Sequence, residues 1–174
     1  MEKVLLLHSS CDGQTIKILR YIEQQLGGNY HCETQDIHQS PGIDFTRYDR
    51  VLIGASVRYG HLNKKLYQFV EQHQQALEKH KAAFFCVNLT ARKPGKDTPE
   101  TSVYMQKFLQ TSPWQPKLLA VFAGALRYPR YSWFDRTMIQ LIMRMTGGET
   151  DTTKEVEYTD WGKVSAFSQA FKQL

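Results

Sequence analysis

Five short apolar runs, alternating with stretches of helical periodicity, restrict this chain to one class of fold. Val4 to Leu7, Val51 to Ala55, Ala82 to Leu89 and Leu118 to Ala125 read as buried strands, and Tyr30 to Ile37 alternates weakly, as an edge strand does. Between and after them, Gln14 to Leu26 carries Ile16, Leu19, Ile22 and Leu26 on one face and stops at Gly27-Gly28. Leu62 to Glu78 and Pro99 to Leu109 are helical, and Trp161 to Leu174 closes the chain with Trp161, Val164, Phe167 and Phe171 on one side. Strands that are apolar throughout and joined by helices form a parallel sheet covered on both faces, so the expected class is α/β, doubly wound. With 174 residues, 41% of them hydrophobic, the chain is long enough to bury a core as one domain.

In such a sheet ligands bind at the carboxyl ends of the strands, so the loops there carry the functional signal. The first is Ser9-Ser10-Cys11-Asp12-Gly13-Gln14-Thr15, a hydroxyl-rich turn feeding a helix N-terminus. Free backbone N–H groups and the positive end of the helix dipole make it a phosphate cradle. It has no lysine and no G-x-G-x-x-G spacing, which argues against nucleoside triphosphates and dinucleotides. A phosphomonoester such as that of flavin mononucleotide suits it, although any strand-to-helix turn favours the same residues for capping. The second loop is Ser56-Val57-Arg58-Tyr59-Gly60-His61, in which Tyr59 offers a platform for a flat ring and Gly60 a close backbone approach. The third, Asn88-Leu89-Thr90-Ala91-Arg92-Lys93, is basic, and Asn88 and Thr90 are suited to hydrogen-bonding an amide-bearing ring edge. Together the three loops predict a bound flavin.

Charge and cysteines narrow the partners. A net charge of +5 favours acidic partners, whether nucleic acid, an anionic lipid surface or a carboxylate-bearing substrate. No nucleic-acid motif accompanies it. Three cysteines, Cys11, Cys32 and Cys86, lack C-x-x-C spacing, and no basic-plus-apolar leader opens the chain, so disulfides, secretion and a metal site are all disfavoured. No run reaches the roughly 18 to 20 apolar residues of a membrane-spanning helix.

Five motifs then carry a resemblance: D-G-Q-T at Asp12 to Thr15, Y-D-R-V-L-I-G-A-S-V-R-Y-G-H at Tyr48 to His61, V-N-L-T-A-R-K-P at Val87 to Pro94, A-G-A-L-R-Y-P-R-Y at Ala123 to Tyr131, and G-G-E-T-D-T at Gly147 to Thr152. Across essentially its whole length the chain resembles the flavodoxin-like, quinone-dependent protoporphyrinogen oxidases of gammaproteobacteria. The resemblance implies a five-stranded sheet in the order 2-1-3-4-5 and tightly bound FMN. It implies removal of six electrons from protoporphyrinogen IX to give protoporphyrin IX, with menaquinone or ubiquinone as acceptor, as a step of heme biosynthesis. The implied location is peripheral, at the cytoplasmic face of the inner membrane.

The segment of about 126–150 reads as an insertion between the last strand and the last helix. From Leu126 to Met145 it holds Arg127, Arg130, Arg136 and Arg144 against Asp135, and a helix expected over Ser132 to Met145 is crowded with Trp133, Phe134, Met138, Ile139, Leu141, Ile142, Met143 and Met145. Such a helix suits a lipid interface, a substrate groove or self-association, and plain packing on the core is the competing reading. Arg127, Arg130 and Arg136 are candidates to pair with the two substrate propionates, and Trp133 to contact substrate or membrane. His61 is a weak candidate base, whereas His8 reads as structural and Cys11 as loop filler. A generic NAD(P)H:quinone reductase and an electron-transfer flavoprotein are the rival functions on the same fold.

Overall fold

In the computed structural model, which describes residues 1–10, 13–40 and 42–174, five parallel strands form one sheet in the order β2-β1-β3-β4-β5. They are β1 (Glu2–Ser9), β2 (Tyr30–Asp36), β3 (Arg50–Ser56), β4 (Lys81–Asn88) and β5 (Leu118–Ala123). Successive residues of β1 point to opposite faces, and both faces are dry. Val4 and Leu6 join one core with Leu52, Phe85 and Phe122, whereas Leu5 and Leu7 join the other with Val51, Ile53 and Phe84. Helices α1 (Gln14–Leu26) and α6 (Trp161–Lys172) cover the first face through Ile18, Leu19, Ile22, Val164, Phe167 and Phe171. On α1 the first apolar residue turned inward is Ile18, not Ile16, which lies on the half-exposed flank while Gln14 and Thr15 take the inward positions of the first turn.

The second face is covered by α2 (Lys64–Gln72), α3 (Gln74–Lys79) and α4 (Val103–Thr111). The expected helix over Leu62 to Glu78 is therefore broken at His73, whose φ of −109° leaves the helical range. The helix expected from Pro99 starts only at Val103, where the Ser102 hydroxyl accepts from Met105 N–H and caps it. At the opposite end of the sheet from the functional loops, the buried Arg50 of β3 donates to the carbonyls of Phe171 and Lys172 at 2.6 and 3.2 Å and pairs with Glu2. A guanidinium there satisfies the last carbonyls of α6 and complements its dipole.

The last strand is shorter than expected. β5 ends at Ala123, and after Gly124 the chain leaves the sheet as β6 (Ala125–Arg127), which pairs antiparallel with β7 (Glu155–Glu157). This small hairpin is absent from the sequence reading. Between its strands lies α5 (Trp133–Met145), which starts one residue later than expected, with Ser132 as its cap, and is closed at Gly147, whose φ of 74° is left-handed; Gly148 N–H donates to Met143 O at 2.7 Å. A small third core of Leu126, Tyr128 and Met143, backed by Leu89, Tyr131 and Tyr158, sits beneath α5.

Close packing makes one glycine of the central sheet indispensable. A Cβ on Gly54 of β3 would lie 2.4 Å from the Phe85 ring, which is itself fully buried. Gly54→Ala is expected to cost about 1–3 kcal/mol by overpacking, read as a Tm lower by roughly 2–10 °C in thermal unfolding followed by circular dichroism; an unchanged Tm would mean that the ring has room to move.

Candidate functional site

The three loops predicted from sequence do converge. At the carboxyl rim of the sheet a cleft enclosing about 890 Å³ of space, part of it open to solvent, is lined by Ser56 to Gly60 from the loop after β3, by Val87, Asn88, Leu89, Thr90 and Arg92 from the end of β4, and by Gln14 at the start of α1. Gly124 and Ala125 form its floor where β5 ends, and Ile139, Ile142, Met143 and Thr146 of α5 form an apolar wall. Tyr104 and Tyr131 complete the lining.

The β3 loop is a tight two-residue turn. Arg58 and His61 exchange both backbone hydrogen bonds, at 2.9 and 3.0 Å, and Tyr59 and Gly60 between them have φ of 50° and 78°. Positive φ at both central positions is the geometry that matches hairpin twist, and it is strained for a bulky residue such as Tyr59. What holds it is α5. The Tyr59 hydroxyl donates to Asp135, Arg58 Nη2 donates to the other oxygen of Asp135 at 3.3 Å, and the Arg58 guanidinium lies 5.7 and 5.4 Å from the rings of Tyr59 and Tyr131. The Tyr59 hydroxyl holds the Asp135 carboxyl below its usual range, with Arg58 adding to it. Burial and the same carboxylate push the Tyr59 phenol up. At its other end α5 is tied down by Arg92, which donates to Leu89 O at 2.8 Å and to the hydroxyl and carbonyl of Thr146 at 3.1 and 3.3 Å.

Several predicted residues do other work. Asn88, buried at the edge of the cleft, accepts from Ala91 N–H through Oδ1 at 2.8 Å and so shapes the turn over Thr90–Arg92. Ala91 is buried behind that turn, and Thr90 Oγ1 meets the Tyr104 hydroxyl at 3.5 Å. Ser9 pairs with His38 Nε2 at 2.9 Å, Ser10 accepts from Gly13 N–H, and Cys11 and Asp12 lie outside the described residues. His61 is exposed and does not line the cleft, because the tight turn points it to the outer side. Of the proposed propionate partners none lines the cleft. Arg127 is turned inward, donating to Gln14 Oε1 at 2.5 Å; Arg130 pairs with Glu155 at 2.8 Å on the surface; Arg136 and Trp133 sit on α5 away from the wall. The cations that do line it are Arg58 and Arg92. Ile139, Ile142 and Met143 belong to the helix for which a substrate groove was one reading, and their i, i+3, i+4 spacing puts them on one face; Tyr104, Tyr131 and Thr146 were not anticipated.

The residues present fit FMN. Helix α1 begins after Gly13, at φ 89°, and in its first turn the Thr15 hydroxyl is fully buried without a partner. A buried unpaired hydroxyl costs about 1–3 kcal/mol, and a phosphate oxygen at the helix start would satisfy it. Among the described residues the cleft lining contains no carboxylate and no histidine.

Comparison with known proteins agrees with this geometry. Residues 5–153 match the family model described as a flavodoxin domain. The protoporphyrinogen IX dehydrogenase (quinone) of Escherichia coli strain K12 is 49% identical over 173 residues, which cover 99% of this chain and 96% of that protein. Among solved structures, oxidised flavodoxin 1 from Bacillus cereus superposes with a TM-score of 0.54 at 18% identity, covering 98% of this chain and 97% of its own. A flavoprotein in complex with FMN from Lactobacillus acidophilus has a TM-score of 0.50 at 16% identity, covering 70% and 93%.

The clamp on α5 has a pH signature. A carboxyl held below its free value adds stability that is complete above the ordinary aspartate pKa of about 3.9 and is lost as pH falls through the lower folded value. Asp135→Ala at neutral pH is therefore expected to speed amide hydrogen exchange across 133–145 while leaving β1, β3 and β4 unchanged. Equal exchange in both proteins would show that Asp135 does not hold the helix.

Proposed function

The chain belongs to the flavodoxin-domain family, in the group of quinone-linked protoporphyrinogen IX dehydrogenases, and on that premise we propose that it oxidises protoporphyrinogen IX to protoporphyrin IX with FMN as cofactor and a quinone as acceptor. The observation that carries this reading is the near-full-length relation to the Escherichia coli enzyme, which spans every loop of the cleft and the whole of α5. FMN, when bound, would supply a ring that takes up hydride equivalents from the substrate and passes electrons on.

The chain's residues bind and orient. The start of α1, with Thr15, holds the phosphate end, and the Tyr59 ring, which the turn with Gly60 presents at the rim, forms a flat wall for the ring system. Ile139, Ile142 and Met143 exclude water on the α5 side and offer an apolar surface to a tetrapyrrole. Arg58 and Arg92 replace the arginines of the insertion as partners for the propionates, because they alone among the described cations line the cleft. Protons released from the substrate leave to solvent through the open side.

We further place the enzyme peripherally on the cytoplasmic face of the inner membrane, where the quinone is dissolved. No helix among the described residues is long and apolar enough to cross a membrane. What supports surface attachment is the outer face of α5: Trp133, Phe134 and Met145 are 73%, 61% and 78% exposed, Leu141 and Ile142 accompany them, and the exposed Arg144 lies beside them on the helix. Apolar side chains with a cation alongside suit an anionic lipid interface. Self-association through the same stripe is the competing reading.

Two measurements test these assignments. Purified protein loaded with FMN is expected to generate porphyrin fluorescence from protoporphyrinogen only when menaquinone or ubiquinone is present; rapid flavin bleaching by NADPH with no porphyrin formed would favour the generic NAD(P)H:quinone reductase. In flotation with vesicles containing phosphatidylglycerol, Phe134→Ser combined with Leu141→Ser is expected to lower the bound fraction about tenfold or more, since roughly 1.5–3 kcal/mol rides on each buried side chain. An unchanged bound fraction, or a dimer that the double variant disperses, would remove the lipid assignment.

A further inference from the structure

The start of α1 holds more positive charge than its protein partners use. Arg127, on β6, is 9% exposed, and its Nη2 donates to the Gln14 side chain at 2.5 Å, so the guanidinium lies against the first residue of the helix. Its Nη1 is buried and has no hydrogen-bond partner. The one carboxylate described near it, Glu157 of β7, is 3.8 Å from Nη2 and is already engaged by Lys17 Nζ at 2.5 Å, on the same oxygen, and by the Trp161 indole at 2.8 Å on the other. Burial pushes the Glu157 carboxyl up, and the hydrogen bonds from Lys17, Trp161 and Gln14 outweigh it, so it stays ionised with its acceptor positions shared. Two cations, Arg127 and Lys17, thus divide one anion.

An unpaired guanidinium nitrogen in the interior is costly unless an anion meets it. Two buried donors without a hydrogen-bond partner belong to this end of the structure: the hydroxyl of Thr15 in the first turn of α1, and Nη1 of Arg127, whose guanidinium is tied to the Gln14 side chain. A doubly charged phosphomonoester at the helix start would give both an acceptor. We propose that Arg127 is a ligand of the cofactor phosphate: the guanidinium delivered by the β6–β7 hairpin supplies the cation that the hydroxyls and amides of the β1–α1 loop lack. The inference rests on FMN being the cofactor, not on which substrate the enzyme oxidises. It also gives the hairpin a task, since β6 is what carries Arg127 across to α1.

The test compares FMN with riboflavin, which has the same ring and ribityl chain without the phosphate. Protein stripped of flavin is titrated with each, and binding is read from quenching of flavin fluorescence. Arg127→Met is expected to weaken FMN about 10- to 100-fold, the range of a lost charge-assisted contact, while riboflavin affinity stays within about threefold. Arg127→Lys, which keeps the charge, recovers most of the FMN preference, and the preference of the unaltered protein falls as salt is raised. Equal weakening of FMN and riboflavin would reduce Arg127 to a structural strut, and an unchanged FMN affinity would place the phosphate elsewhere. If Arg127→Met does not fold, as judged by circular dichroism, the Lys variant and the salt series decide by the same ratio. Porphyrinogen oxidation plays no part in the readout, so failure of the substrate assignment leaves the result intact.

Discussion

Burial of both faces of the central strands is the constraint from which the remaining architecture follows. Val4, Leu5, Leu6 and Leu7 are consecutive in β1 and fully buried, as are Leu52 and Ile53 in β3 and Phe84 and Phe85 in β4. Each such side chain contributes about 1.5–3 kcal/mol when removed from water, so helices are required on both sides. Helices can reach both sides only through crossover connections between parallel strands. Parallel strands in turn put every strand-to-helix loop at the same rim. The cleft is a consequence of that geometry: the loops after β1, β3 and β4 meet there because β1, β3 and β4 are neighbours.

The second determining step is the departure of the chain from the sheet at Gly124. Gly124 N–H donates to Asn88 O at 3.1 Å and its carbonyl accepts from Tyr158 N–H at 3.0 Å, while a Cβ there would press on Val87 at 3.1 Å. The backbone passes close to the end of β4 and turns outward into β6. The hairpin with β7 then holds the two ends of a segment of nearly thirty residues, and α5 within it is supported by the Leu126, Tyr128 and Met143 core.

Much of this was legible in the sequence because each apolar run is short, continuous and bounded by turn residues. The cleft loops followed from the class of fold, and the strand order from the resemblance that the motifs carry. What could not be read was where the polar side chains of those loops spend their hydrogen bonds. Asn88, an apt partner for a ring edge by chemistry, is consumed by Ala91 N–H, a contact created only once the chain turns at Leu89. Arg127, Arg130 and Arg136 share a short stretch of sequence yet face three environments, since an alternating strand, a turn and a helix follow one another within it. The β6–β7 pair escaped because each strand is three residues long and one of them, Glu155-Val156-Glu157, has a single apolar residue. The break at His73 had no glycine or proline to announce it.

Helix α5 is where these strands of argument meet, because it presents a different surface to each neighbour. With 100° between residues, Ile139 and Met143 fall on the side that walls the cleft, Asp135 and Thr146 reach the loops after β3 and β4, and Phe134, Leu141 and Met145 fall on the far side. Ile142 lines the cleft and is still 42% exposed, so it marks the edge where wall and outer stripe join. The Arg92 contact with Thr146 lies one turn further along the helix, at its C-terminal end. Anchoring α5 at both ends through Asp135 and Arg92, rather than burying it, leaves its outer face exposed while holding the strained Tyr59 turn in place.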